Sequence, residues 1–269
     1  MSSLLRSIAA VCLLALAAPG RAETARTILD AAHDTNKARQ PKDVSEKMKM
    51  IIFDSAGGQR VRDMELYASN PGTRDSKTLM FFLSPAEVRG VGFLAWSYPD
   101  RSDDQWLYLP ELKRVRKITA NIRAQSFQGS DFSYQDLALY NDVLNWSEKD
   151  AWSKLLEEGA VTDGVACAVV ELHPTDPDLA YGKLVLWLNR NDATVRKIDF
   201  YDRSGGTLQK TLTITGYEVI GSVPTAHRFE IATPKKGTRT LLDVSQVQYD
   251  QGLTEQDFTQ RSLERGGIR

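Results

Sequence analysis

Residues 104–137 read DQWLYLPELKRVRKITANIRAQSFQGSDFSYQDL, and the reading of this stretch decides the fold. Trp106 and Tyr108 alternate with Leu107 and Leu109, the period-two signature of a strand whose successive side chains take opposite faces. Pro110 ends that strand, because proline brings no backbone donor to a ladder. A basic run follows: Lys113, Arg114, Arg116, Lys117 and Arg123. After the loop Gln125–Phe132, Ser133 and Asp136 have the spacing of a capping box. Leu137, Tyr140 and Leu144 then fall on one face at helical spacing, so a helical or irregular insert is expected over about residues 131–150.

Strands are expected on both sides of this insert. Upstream, residues 24–38 form a short helix, capped by Thr24, with Ala25, Ile28, Leu29 and Ala32 on one face. Pro41 ends it. Period two then takes over: Met48, Met50 and Ile52 alternate with Lys47, Lys49 and Ile51. Gly57-Gly58 turns the chain back, with Arg62, Met64 and Leu66 on one face of the return strand. Strand-like runs continue at residues 78–83, 91–98, 105–109 and 115–118. Downstream they recur at 155–160, 165–172, 184–188, 195–201, 208–215, 227–232 and 240–249, and a short capped turn is expected at 254–258. Many short strands with regular turns predict one long antiparallel sheet, and sheets of that length curl toward a barrel or split in two. No internal repeat or flexible linker divides the chain, so residues 23–269 are read as one domain.

The first 22 residues have the form of a secretory signal. Arg6 precedes an apolar run from Ile8 to Ala18, Pro19 and Gly20 break it, and Ala22 is the expected cleavage position. An uncleaved anchor is the alternative. Cleavage would remove Arg6 and Arg21 and no acid, leaving 32 basic and 35 acidic residues. A net charge so close to zero gives no broad basic field for a nucleic-acid backbone, and no nucleic-acid partner is expected. One cysteine, Cys167, would remain, inside the apolar run from Val165 to Val170; it reads as a small buried hydrophobe. The signal and the scarcity of cysteine predict a bacterial periplasm.

The chemistry-bearing motifs of common enzymes are missing. His33, His173 and His227 lie in unrelated segments without metal-ligand spacing, and there is no HExxH, GxSxG, P-loop or GxGxxG. Adjacent carboxylates such as Asp103-Asp104 and Glu157-Glu158 point to opposite faces of a strand. The expectation is therefore no catalytic residue, no metal, no cofactor and no enzymatic activity.

The central stretch resembles the motif of the LolA-like family of periplasmic outer-membrane lipoprotein-sorting proteins. The matching residues are Trp106, Tyr108, Pro110, Arg114, Arg116, Ser126, Phe127, Gly129, Ser130, Asp131, Phe132, Tyr134 and Asp136. Tyr181-Gly182, the hairpin around Asp202–Gly205 and the closing Asp257-Phe258 and Leu263–Arg265 fit the same pattern. The resemblance implies an α+β, mostly β fold: a curved antiparallel sheet forming an incomplete β-barrel, covered or plugged by short helices. It also implies an apolar cavity for the acyl chains of a lipid or lipoprotein cargo, with an inner-membrane exporter of the RND type as partner. The expected function is a periplasmic carrier; the alternative is an accessory or sensor module of such an exporter or of an envelope regulator.

Same-face alternation nominates the cavity lining: Met50, Ile52, Met64, Leu66, Met80, Phe82, Phe93, Trp106, Tyr108, Trp187, Phe200, Leu212, Ile214, Phe229 and Ile231. A one-residue slip in face would exchange Trp106 for Leu107 and Trp187 for Leu186 or Leu188. Met48, Met50, Met64 and Met80, on adjacent strands, would make either an adaptable binding wall or an ordinary core. The basic run is either a contact for anionic groups or a solvated strand face. The loop of Phe127, Gly129, Ser130, Asp131, Phe132 and Tyr134 is either a lid or a plug packed inward.

Overall fold

The computed structural model describes residues 24–268. The signal segment expected at residues 1–22, with its cleavage position, lies outside the described residues. Helix α1 (Ala25–Ala38) opens the fold. Thr24 caps it, accepting from the Thr27 N–H while Thr27 Oγ1 accepts from the Thr24 N–H at 3.0 Å. Six strands follow: β1 (Asp43–Phe53), β2 (Gln59–Ser69), β3 (Lys77–Ser84), β4 (Gly92–Trp96), β5 (Asp104–Leu109) and β6 (Arg114–Lys117). Two short helices come next, α2 (Ala120–Arg123) and α3 (Tyr134–Asp142). Seven more strands complete the sheet: β7 (Ala151–Thr162), β8 (Val165–Pro174), β9 (Lys183–Asn189), β10 (Thr194–Tyr201), β11 (Leu208–Ile220), β12 (Val223–Thr233) and β13 (Thr238–Tyr249). Helix α4 (Gln260–Arg265) closes the chain.

The strands form one 13-stranded antiparallel sheet in the order β6-β5-β4-β3-β2-β1-β13-β12-β11-β10-β9-β8-β7. The first and last strands meet in the middle: Met48 pairs with Val244 and Met50 with Leu242. The sheet is curved but not closed, and β6 and β7 are its free edges. Register shifts at Ser45/Lys47, Val195/Lys197 and Phe200/Tyr201 bend individual strands, as bulges do. Two further shifts interrupt the edge strand β7, and Arg114, Arg116 and Lys117 stand exposed on edge β6. Bulges and charges are the two usual ways of keeping an open edge from pairing with another chain. Arg114, Arg116 and Lys117 of the basic run thus lie on a solvated edge strand, with Arg114 and Arg116 paired opposite Leu109 and Leu107, while Arg123 lies on α2 and donates to the Asp103 carbonyl.

Because β6 and β7 sit at opposite edges, the chain between them has to cross the sheet. It does so through the concave side, and the motif loop is the crossing. Phe127 is wholly buried, with its ring 5.8 Å from Phe82, 5.6 Å from Phe93 and 5.4 Å from Tyr134. Phe132, Ser130, Asp131 and Tyr134 are buried beside it, while Gly129 is exposed at the tip. Gln128 and Gly129 both take the left-handed region (φ +52° and +76°), which glycine adopts freely.

Polar anchors hold the plug to the sheet. The Asp131 carboxylate accepts from Thr233 Oγ1 at 2.6 Å, Thr238 Oγ1 at 2.5 Å and Thr240 Oγ1 at 2.8 Å, and the Asp131 N–H donates back to Thr240 Oγ1. Arg62 donates to the Gln128 carbonyl and Arg60 to that of Gly129. At the start of α3, Asp136 accepts from the Ser133 N–H at 2.7 Å, from Tyr181 Oη at 2.6 Å and from Lys210 Nζ at 2.6 Å. The capping box expected from Ser133 and Asp136 is therefore also a tie to strand β11.

The convex side has a smaller core of its own. Leu79, Phe81, Leu94 and Trp106 pack there against Phe258 and against Leu263 of α4. A Cβ on Gly92 would lie 2.6 Å from Leu263 Cδ1, so glycine is what lets the helix approach the sheet this closely. Trp96 Nε1 donates to the Phe258 carbonyl at 2.8 Å. Cys167 is a buried free thiol on β8, as its apolar setting predicts.

We predict that Asp131→Ala lowers the unfolding free energy by roughly 2–4 kcal/mol, since it strands the buried Thr233 and Thr240 hydroxyls and the half-buried Thr238 hydroxyl that now bond a carboxylate. Urea unfolding measures this directly. A loss under about 1 kcal/mol would show that the crossing segment is held by packing alone.

Candidate functional site

The concave face is where a ligand could enter. Twelve of the fifteen lining candidates project there: Met50, Ile52, Met64, Leu66, Met80, Phe82, Phe93, Phe200, Leu212, Ile214, Phe229 and Ile231. Three do not. Trp106 and Tyr108 face the convex side with Phe81 and Leu94, while Leu107 and Leu109 take the inner positions. Trp187 is likewise replaced by Leu186 and Leu188, and Lys197 Nζ lies 3.9 Å from the centre of its ring. The physical reason is that both faces of these strands are apolar, so alternation alone could not fix which one faces inward.

Much of the inner face is filled. Met48, Met50, Met64 and Met80 are buried in the core beneath the plug, with Met48 paired directly opposite Met64. The methionines thus form a packed core at this place. Toward the other end of the half-barrel the packing loosens. Leu66, Tyr140, Tyr217, Phe229 and Val247 all pack against the inner core and yet keep part of their surface accessible. The Tyr140 ring meets Phe229 edge-on at 5.2 Å.

Beside this looser end, and sharing Tyr140 and Tyr217 with it, lies a cleft of about 500 Å³ between α1, the turn after β2, the end of α3 and strands β10–β12. Its inner wall includes Tyr140, Leu144, Val195, Tyr217 and Val223. Lys37, Arg39 and Arg74 stand around it. Helix α1 forms one side of the opening and is tied down at several points. Arg26 donates to the Trp146 carbonyl at 2.8 Å, His33 Nδ1 lies 3.1 Å from Asn145 Oδ1, and Asn36 donates to the Ala193 carbonyl at 3.0 Å.

One ionisable group belongs to this inner wall and escaped the sequence reading. Glu46 is in phase with Met48 and Met50 on β1 and is paired opposite Leu66. Burial pushes its carboxyl up to about 7. Tyr140 and Tyr249 are its titratable neighbours; burial pushes the Tyr140 phenol up to about 12 and that of Tyr249 upward. The Tyr217 phenol, which donates to the Val195 carbonyl at 2.7 Å, is raised well above its ordinary range for the same reason. The signal for Glu46 was present in the sequence: extending the Met50, Met48 alternation back by one step reaches it.

The site is thus a half-barrel plugged by its own crossover, with a cleft beside the N-terminal helix. Comparison with known proteins gives the family. A family model described as "Uncharacterized protein" matches residues 74–265. A solved outer-membrane lipoprotein-sorting protein domain from Vibrio parahaemolyticus is 32% identical, with a TM-score of 0.78 over 88% of this chain and 98% of that one. A DUF1329 family protein from Desulfovibrio piger is 27% identical, with a TM-score of 0.79 over 88% of this chain and 98% of that one. A LolA superfamily protein from Nitrosomonas europaea shares the fold at 21% identity, with a TM-score of 0.67 over 90% of this chain and 100% of that one. No curated protein matches the chain by sequence. The chain belongs to the LolA-like family of outer-membrane lipoprotein-sorting proteins.

The Glu46 environment yields a pH prediction. The folded state keeps a proton that the unfolded chain, with its carboxyl near 4.5, has already released. Stability from this group is therefore full below about pH 4.5 and is lost as pH rises through about 7. Glu46→Gln should match the parent at pH 4.5 and exceed it at pH 8 by about 1–2 kcal/mol, or a few degrees in Tm. Parallel Tm–pH curves for the two proteins would contradict a buried, water-poor Glu46.

Proposed function

We propose that the protein is a periplasmic carrier that holds the acyl chains of a lipid or lipoprotein, without covalent attachment, in the hollow between the concave face, α1 and α3. The supporting observation is the set of inward-facing apolar side chains that remain part-exposed: Leu66, Tyr140, Tyr217, Phe229 and Val247. A concave apolar surface of this kind gains free energy when a hydrocarbon chain displaces its water. The need for shelter is large. At about 0.8 kcal/mol per methylene, a sixteen-carbon chain carries roughly 12 kcal/mol of exposure cost in water. A cleft of about 500 Å³ is within the size range of ordinary ligand sites, about 300–1,000 Å³.

The plug gives this reading a mechanism for release. Only part of the inner face is open, because Phe127 and the methionines occupy the rest. Burial of the guest is therefore partial, which leaves enough free energy on the table for a receiving partner to draw the chain out. An inner-membrane exporter of the RND type is the partner this role calls for. The resemblance to lipoprotein-sorting proteins supports the carrier role.

We predict that protein purified from cell envelopes carries bound lipid visible by native mass spectrometry. Leu66→Glu and Phe229→Asp, both on the inner wall, should each reduce the loaded fraction at least about tenfold, a loss of about 1.4 kcal/mol in binding. Trp187→Ala, on the other face, should leave it unchanged. An unloaded spectrum from repeated preparations, or equal loading of all variants, would refute the carrier reading.

A further inference from the structure

A second cavity lies beside the first, on the other side of Arg74, and its walls are of a different kind. It measures about 340 Å³ and is bounded by the β4–β5 turn, α2, α3 and the end of β8. Arg74 and Pro99 line both cavities. Among the described residues, seven buried side-chain nitrogen or oxygen atoms have no hydrogen-bond partner, and four of them belong to residues of this one wall: Gln105 Oε1, Arg123 Nε, Arg74 Nε and Asp142 Oδ1. The last two lie 3.4 Å apart as an ion pair without hydrogen-bond alignment. Gln105 is the sharpest case. Its residue is 1% exposed, its amide nitrogen donates to the Tyr134 carbonyl at 3.4 Å, and its amide oxygen has nothing to accept from.

Unpaired buried polar groups cost roughly 1–3 kcal/mol each, so a wall that concentrates them is built for something that pairs with them. The missing partners are of both kinds. Gln105 Oε1 needs a donor and Arg123 Nε an acceptor, while Arg74 Nε and Asp142 Oδ1, which face each other as an ion pair, would each gain a better-aligned partner. Charge narrows the choice. Arg74, Arg101 and Arg123 face five aspartates across this cavity, Asp103 and Asp142 among them, so the site is formally acidic. Burial raises Asp103 to about 6 and moves Asp142 upward, although Ser97 Oγ donates to the one and Trp146 Nε1 to the other. A phosphate would meet net repulsion here. An amide brings a carbonyl for a guanidinium and an N–H for a carboxylate or the Gln105 oxygen, and it carries no charge. Leu139 and Trp146 add an apolar patch on which a side chain can rest.

We propose that this cavity is a second binding site, for an amide-bearing ligand of peptide type, and that it discriminates against phosphate. The assignment stands on the cavity and its unpaired groups and is independent of whether the neighbouring hollow carries lipid.

The test is an NMR titration of the full protein with three probes: an acetylated, amidated Gly-Gly dipeptide, inorganic phosphate and glycerol. The dipeptide should give saturable shifts at the Gln105 side-chain amide and the Trp146 indole, and phosphate and glycerol should not. Gln105→Leu should weaken dipeptide binding about tenfold, and Arg123→Gln should do the same from a less buried position, so that loss of fold in one variant leaves the other to decide. The proposal falls if the dipeptide produces no saturable shift, which would mean a cavity filled by water only. It also falls if phosphate or glycerol binds equally at those residues, or if both folded variants bind the dipeptide like the parent. Lipid loading of the same samples, read by mass spectrometry, reports on the first cavity separately.

Discussion

The structure depends on one topological constraint: the two edge strands of an open sheet are consecutive in sequence. β6 and β7 are neighbours along the chain and stand at opposite ends of the strand order. Laid flat, thirteen strands at about 4.8 Å spacing would put those edges about 58 Å apart. Curling the sheet brings them closer, and the shortest way between them is then through the concave side. The connection cannot be a surface loop; it has to be a plug. A buried connection carries backbone polar groups out of water, and each must find a partner. That is why the segment is rich in short polar side chains and why Asp131 and Asp136 are buried with three partners apiece.

The plug also decides what the inside can hold. Phe127 fills the space above β3 and β4, and the methionines of β1–β3 are buried in the same core. Space survives at the other end, between the last turn of α1, the end of α3 and strands β10–β12. There the inner surface is aromatic and aliphatic, with Glu46 set into it. Beyond Arg74 the character changes to polar, and the cavity walls carry unpaired donors and acceptors. The two cavities, with walls of different chemistry, meet at Arg74.

Local signals in the chain were strong because they rest on local physics. Period-two alternation and short apolar runs marked the strands, Gly57-Gly58 and Asp202–Gly205 marked turns, and the capping residues Thr24 and Ser133 marked helix starts. Two short helices were not visible: α2 and α4, of four and six residues, are too short to show a period. The site was less legible. Tyr140 and Leu144 stood out only as one face of a helix, and Glu46 was passed over because a single charge among strand residues normally faces water.

The sequence by itself determined the strands, their approximate ends, the helix caps and, through the motif of residues 106–136, the family. Those properties follow from backbone conformation and side-chain period, which neighbours in the chain settle among themselves. Only the tertiary structure decided the pairing of β1 with β13, which face of β5 and β9 looks inward, and whether the Phe127 loop is lid or plug. Trp106 and Leu107 are both apolar, and the choice between faces was made by what lies opposite: α4 on the outside, the crossing chain on the inside. Contacts between residues a hundred positions apart, such as Asp131 with Thr240, leave no local trace, so the hollow they leave could be located only once the chain had folded around it.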